Sequence, residues 1–391
     1  MSQEEIKNKE TESTTVDAGD EGSSAHKKTW LFAPTPIHWK HLFGGIAFIL
    51  IILLLITGTY MTFYYDPALD KAYKSVQHFQ YKVFLGGITR NFHRWAAFLI
   101  FIAVLIHILR SFFRGDYRSN RRLEWVTGCL LFAMTFLDLA TGLILPWEWK
   151  GYWFMEMVPN YFGVIPVIGP WLKQFLIDAF TMPRTYILHI LILPLIGLVL
   201  IDLHYLMRLR KRGIWTWFAK HIMLALPFIV LAIYLAKALP IPASDPDELP
   251  DPMYGIWIPA PEWVWLVLFY PFLKFKGQWV AIGAVYLPFL ILFILTIFPF
   301  FFRKTEERKP KKKAGKVVAG LAALLVGLMI AGMVTYSCYE SPTLGCNGCH
   351  HDYSGVRMAI PPETFKDRVR NPILNDNTWM VNHWYYPNVV W

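Results

Sequence analysis

The sequence predicts an all-α, polytopic membrane protein with seven transmembrane helices. Three observations predict it. Apolar runs of the length a bilayer needs recur seven times. The composition is 55% hydrophobic and 17% aromatic, against 17% charged. The surplus of basic residues falls in alternate connecting segments, as the orientation of membrane helices by Lys and Arg requires. The net charge of +10 therefore reads as a membrane signature, and no nucleic-acid partner is expected.

The chain starts with a polar stretch, MSQEEIKNKETESTTVDAGDEGSSAHKK. It lacks the apolar core of a cleavable signal peptide and is expected to be a disordered cytoplasmic tail over residues 1–28. Spans are expected near 42–63, 93–113, 123–145, 186–208, 219–239, 278–302 and 316–337. Pro194, Pro227 and Pro288 fall inside apolar runs, which membrane helices tolerate when the freed carbonyl finds another partner. Basic clusters lie before the first span (Lys27, Lys28, Lys40) and between spans two and three (Arg110, Arg114, Arg118, Arg121, Arg122). Two more lie between spans four and five (Arg208, Arg210, Lys211, Arg212) and between six and seven (Arg303, Lys304, Arg308, Lys309). In a seven-span chain these four segments share one side, expected to be cytoplasmic. The loops 64–92, 146–185 and 240–277 and the carboxyl tail take the other side.

Two spans carry paired histidines. His93 and His107 are 14 residues apart, and His189 and His204 are 15 apart. Four α-helical turns take about 14.4 residues and rise roughly 21 Å, so each pair lies near one face at two depths. Facing helices of this kind supply two stacked bis-histidine sites, suited to two haems b. Glycines repeat the interval: Gly44 and Gly58 on the first span, Gly128 and Gly142 on the third, each 14 apart. Small residues at those depths admit a flat macrocycle against the backbone. Near the carboxyl end, Cys346, Cys349 and His350 form C-x-x-C-H, an attachment motif for haem c. Met358, Met380 and His383 are candidates for its sixth ligand. Membrane lipid is the surrounding partner. Cys338 is either a free thiol or a lipid carrier, and no disulfide framework is expected.

HRW at His93, LHILILP at His189, TGLILPWEWKGYW at 141–153 and VIPVIGP at 164–170 together resemble the cytochrome b of the quinol-oxidising cytochrome bc complexes. The likeness is to the split chloroplast-type form, here fused to its three-helix subunit, and covers roughly residues 36–305. The resemblance implies a four-helix dihaem domain at 29–214, a three-helix quinol-site domain at 215–340 and a haem c tail at 341–391. Combined with the charge-based orientation, it implies an outer, lower-potential haem held by His93 and His189 and an inner haem held by His107 and His204. Arg94 is a candidate propionate partner, or else an interfacial arginine reaching for headgroups.

Pro261, Glu262 and Trp263 resemble the start of the family's Pro-Glu-Trp-Tyr motif at the outer quinol-oxidation site. Quinol oxidation releases protons into an apolar pocket, and a mobile Glu262 carboxylate would accept one there. The motif's tyrosine is replaced by Val264, followed by Trp265. PWEW at 146–149, with Trp147 and Glu148, would form the opposite wall. Asp138 and Asp202 lie inside spans, where an acid is costly. Asp202 is a candidate for a proton path to an inner site with His38 and His41. Asp138 is a second such candidate, or is held by a hydrogen bond to a neighbouring helix. Chloroplast-type relatives attach a further inner haem through a cysteine on the first span. The matching stretch KHLFGGI has none, so that haem is not expected.

The expectation is a fused cytochrome b/c subunit of a bacterial quinol:cytochrome c oxidoreductase in the cytoplasmic membrane, with its tail periplasmic. It would work beside a Rieske-type iron–sulfur subunit and a further or soluble cytochrome c, in a homodimeric multi-subunit complex coupled to proton translocation. The alternatives are a membrane-anchor cytochrome b of another quinone-linked dehydrogenase or reductase, and a non-catalytic haem sensor.

Overall fold

The structure is a computed structural model. It describes residues 42–118, 122–148, 162–207, 214–240, 281–302 and 313–340, with scattered positions between 151 and 279. Among these residues the chain is helical and contains no strand. The first span, α1 (Leu42–Thr62), contains no charged residue and is apolar on all sides, as a helix between lipid and protein should be. A short amphipathic helix, α2 (Ala72–Lys82), follows in the connection to the next span.

The second span, α3 (Gly86–Arg114), starts seven residues before the expected position. The early start is a correction with a physical reason. Residues 86–92 are polar in part, yet Arg90 and Asn91 are buried against neighbours rather than left in a loop. The helix stops at Gly115, whose φ of 73° is left-handed and whose N–H returns to the carbonyls of Ser111 and Phe112. Span three is α4 (Arg122–Ile144). An unanticipated short helix, α5 (Gly169–Ala179), lies in the next loop.

Span four, α6 (Met182–Leu206), is not uniformly α-helical. It contains two π-helical turns, Leu188–Ile192 and Asp202–Leu206. The first sits directly before Pro194. Proline has no N–H to give its preceding turn, and the ladder adapts by a wider bond from the Leu193 N–H to the Leu188 carbonyl. The same device precedes Pro288: a π turn over Ile282–Tyr286, closed by the Leu287 N–H on the Ile282 carbonyl, leads into α8 (Leu287–Ile297). Pro227 sits within the long helix α7 (Ile214–Ala238) without such a turn. The last span is α9 (Lys313–Glu340).

Six of these helices are long and apolar enough to cross a membrane. The stretch expected to give another, near 278–302, forms a shorter apolar helix, Leu287–Phe301. Large apolar side chains on α6 such as Leu191, Leu195 and Val199 face outward, which suits lipid and not water.

The helices α1, α3, α4 and α6 pack in that order. On the far side of α1 and α3 lies α7, brought close by buried Ala225, Ala232 and Ala236. The Trp95 Nε1 donates to the Leu239 carbonyl at 3.1 Å and ties the two elements near one end. At the other end of the bundle, α8 docks on α4. There Trp125 donates to the Leu295 carbonyl at 2.8 Å and Arg122 to the Phe302 carbonyl at 2.5 Å. Phe112, Tyr117 and Phe298 stack around this seam.

Candidate functional site

The four histidines meet in two pairs at two levels. The His93 and His189 rings have centroids 6.5 Å apart, and those of His107 and His204 are 6.2 Å apart. Each separation leaves room for one ion held by a nitrogen on either side at about 2 Å, with the rings behind. The partners come from α3 and α6, the two helices the sequence marked.

Each ring faces one of the four glycines. A methyl group at Gly58 would stand 3.3 Å from the His93 ring, and at Gly44, 3.2 Å from the His107 ring. At Gly142 it would stand 2.8 Å from the His189 ring, and at Gly128, 3.1 Å from the His204 ring. The space beside each imidazole therefore exists only because these residues lack a side chain.

Three rings are also fixed in orientation by threonines that sequence reasoning passed over. The Thr57 hydroxyl lies 2.8 Å from His93 Nδ1, Thr141 3.0 Å from His189 Nδ1, and Thr127 3.1 Å from His204 Nδ1. Each hydroxyl gives its one proton to the carbonyl four residues back: Leu53, Leu137 and Leu123, at 2.8, 2.9 and 2.8 Å. It must then accept from the ring, so Nδ1 carries the hydrogen and Nε2 keeps its lone pair for a metal. Each of these threonines immediately precedes its glycine, and that repeated Thr-Gly pair was the available signal. Phe43 stands in the corresponding place before Gly44.

The residues thus fit a planar bis-histidine macrocycle at each level. The π turns fit too. They enclose His189 and His204, and absorbing an extra residue is what brings a 15-residue interval onto one face.

Above the His93 level, Arg90 and Glu148 form a buried ion pair. They are 7% and 4% exposed. Arg90 also donates to Gln80. Arg94 is half-buried and within electrostatic reach of Arg90 and Glu148. Arg90 went unnoticed in the sequence, although its place one turn before His93 puts it on the same helix face.

The turn at 145–148 is held firmly. Trp147 is buried with a left-handed φ of 50°, a conformation that costs a non-glycine residue energy and persists only when neighbours impose it. Tyr65 donates to the Leu145 carbonyl at 2.7 Å. Burial first, then Tyr186 and Asp66, push its phenol well above the usual range.

Pro261, Glu262 and Trp263 lie outside the described residues, as do Cys346, Cys349, His350, the sixth-ligand candidates, His38 and His41; Cys338 falls on the last turns of α9. The two residues following the PEW triplet are described. Val264 is fully buried and Trp265 nearly so, in one apolar cluster with Trp147 and Phe154. The Trp265 ring lies 4.9 Å from Phe154 and 5.6 Å from Phe136.

Asp202 is half-buried in the π turn that holds His204. Asp138 lies one turn before Thr141. Its Oδ1 is buried with no hydrogen-bond partner among the described residues.

Fold and site together define a multi-pass helical membrane protein built to hold two stacked planar groups. The family model described as Cytochrome b/b6/petB matches residues 29–213. Cytochrome b6 of Auxenochlorella protothecoides is 37% identical over 188 residues, covering 47% of this chain and 87% of that protein. Cytochrome b6 of Tupiella akineta is 34% identical over the same shares. A solved structure described as a hyperthermophilic respiratory Complex III matches at a TM-score of 0.62 and 17% identity, covering 90% of this chain and 92% of that one. That likeness is one of fold. The chain belongs to the cytochrome b/b6 family, a family of electron transport whose members bind two b haems.

Proposed function

We propose that the chain is the fused cytochrome b/c subunit of a bacterial quinol:cytochrome c oxidoreductase. The observation that carries this reading is the pair of stacked histidine levels, each with glycine-opened space beside its rings. His93 and His189 hold the outer haem b, and His107 and His204 the inner one. When bound, these groups supply one-electron transfer between the two sides of the membrane.

This chain's residues do the rest. Thr57, Thr141 and Thr127 keep their histidines in the tautomer that offers Nε2. Arg90 and Arg94 place positive charge beside the outer level. Glu262 accepts a proton from quinol and releases it to the outer face, while Pro261 and Trp263 shape its pocket. The burial of Val264 and Trp265 in one cluster with Trp147 supports a pocket whose walls come from both halves of the chain. Substitution of the motif tyrosine by Val264 fits that packing, since the position is fully buried.

The domain plan is a dihaem domain at 29–214, a three-helix quinol-site domain at 215–340 and a haem c tail at 341–391, with seven spans and a cytoplasmic amino terminus. The solved structure that matches over 90% of the chain supports continuation of the fold past the region of the family match. Lys274, in the outer loop, donates to the Tyr336 hydroxyl at 2.6 Å near the end of α9. This contact supports a tail emerging on the side of the quinol pocket. Cys346, Cys349 and His350 would carry haem c there. Asp138 and Asp202 are candidates for proton movement toward the haems and the inner site. A Rieske-type iron–sulfur subunit would take the first electron and a cytochrome c the last, within a homodimeric complex of the bacterial inner membrane.

The test is a reduced-minus-oxidised absorbance spectrum of the purified protein, with haem staining after denaturing electrophoresis. Two b signals and one covalent c signal are expected. A single b signal would refute the dihaem assignment, and an unstained band would refute the haem c tail. Glu262→Gln should lower quinol oxidation on the order of a hundredfold, a loss in the range of one proton-transfer group, with both b signals intact.

A further inference from the structure

We propose that the buried Arg90–Glu148 pair sets the reduction potential of the outer haem alone, with Glu148 holding it down. The inference rests on the outer-haem assignment above. A buried ion pair is a poor device for stability, because desolvation offsets most of the attraction. Its placement here is specific. Arg90 is one helical turn before His93, and Arg94 is its neighbour on the other side. Glu148 arrives from a different element, the turn after α4. Both members of the pair are almost wholly removed from solvent. Trp147, the residue immediately before Glu148, has a left-handed backbone conformation.

Charges in such a dry setting act over distances that water would screen. Two arginines beside the outer level favour an added electron. Glu148 offsets one of them, so the outer group is harder to reduce than the arginines alone would make it. The inner level, roughly 21 Å away along the helix, feels little of this. Local charge and low dielectric are general levers on haem potential; here they are confined to one of two otherwise similar sites.

The experiment is a redox titration of both b signals in the full-length protein. Glu148→Gln keeps the side chain's size and should shift the outer midpoint upward, leaving the inner one in place. Arg90→Gln should shift it downward. The double variant Arg90→Gln/Glu148→Gln, which strands no buried charge, should fall between the two single variants. Outer midpoints that stay in place in both single variants, with both b signals retained, overturn the proposal. So does a double variant equal to Arg90→Gln, since Glu148 would then contribute nothing. Equal movement of the inner midpoint would show a general disturbance and also overturn it. If Glu148→Gln fails to hold its outer haem, the separation between Arg90→Gln and the double variant decides. Absence of b signals in the unaltered protein would instead sink the haem assignment itself, so the two failures are distinguishable.

Discussion

At the scale of single residues, the site depends on side chains that are missing and on hydroxyls that are present. Gly142→Ala would set a methyl group 2.8 Å from the His189 ring, so the outer b signal should be lost with the inner one retained. Gly197→Ala, on the same helix as His189, meets nothing within 4 Å and should leave both signals intact. Difference spectra of the two variants check the pair. Thr141→Val removes the acceptor that orients His189 while keeping the shape. Haem affinity at the outer level should fall roughly tenfold or more, as for other partners of metal-bound histidines, measured by haem transfer to a competing apoprotein. The glycine interval was legible in the sequence because it repeats the histidine interval. The threonines were equally visible, but a lone Thr in a membrane helix is usually bonded to its own backbone. Only the folded geometry shows that each hydroxyl also meets a ring.

At the scale of elements, the difference between 14 and 15 residues turns out to have a structural cause. In a uniform α-helix one further residue rotates a side chain by about 100°. The π turns around His189 and His204 take up that rotation, as π turns at functional sites commonly do. Pro194→Ala restores a backbone N–H and relieves the reason for the first π turn. The ring of His189 should then turn away, with weakened binding at the outer level. Pro288→Ala relaxes a similar turn leading into α8 and should leave both b signals unchanged, which separates a site effect from general helix repair. The sequence marked both prolines as tolerated breaks. It could not show which one carried a ligand's orientation, because that depends on the partner helix.

At the scale of the whole molecule, several contacts join the half matched by the family model to the half beyond it, and two of them bear on the site. Trp265 packs on Phe136 and Phe154, and α7 lies along α1 and α3, where the His221 ring closes on Gly45. A methyl group at Gly45 would come within 1.8 Å of that ring. Trp265→Ala should cost about 3–5 kcal/mol of local packing and appear as a raised KM for quinol with unchanged b spectra. Gly45→Ala should lower the thermal stability of the purified protein, because α7 must move away. Periodicity and loop charge made the bundle legible. The contacts across the two halves were not, since Val264 and Trp265 looked like departures from a motif until their burial showed them filling a seam.

The fixed separation of the two histidine levels carries an electrical consequence. A span of roughly 21 Å is about two thirds of the hydrocarbon thickness of a bilayer. Each unit charge moved between the levels therefore works against about two thirds of the membrane voltage. At about 2.3 kcal/mol per charge per 100 mV for full crossing, that is on the order of 1.5 kcal/mol, or about tenfold in the distribution of electrons between the levels. An energised membrane would thus press back on the protein through the length of α3, with no moving part needed to sense it.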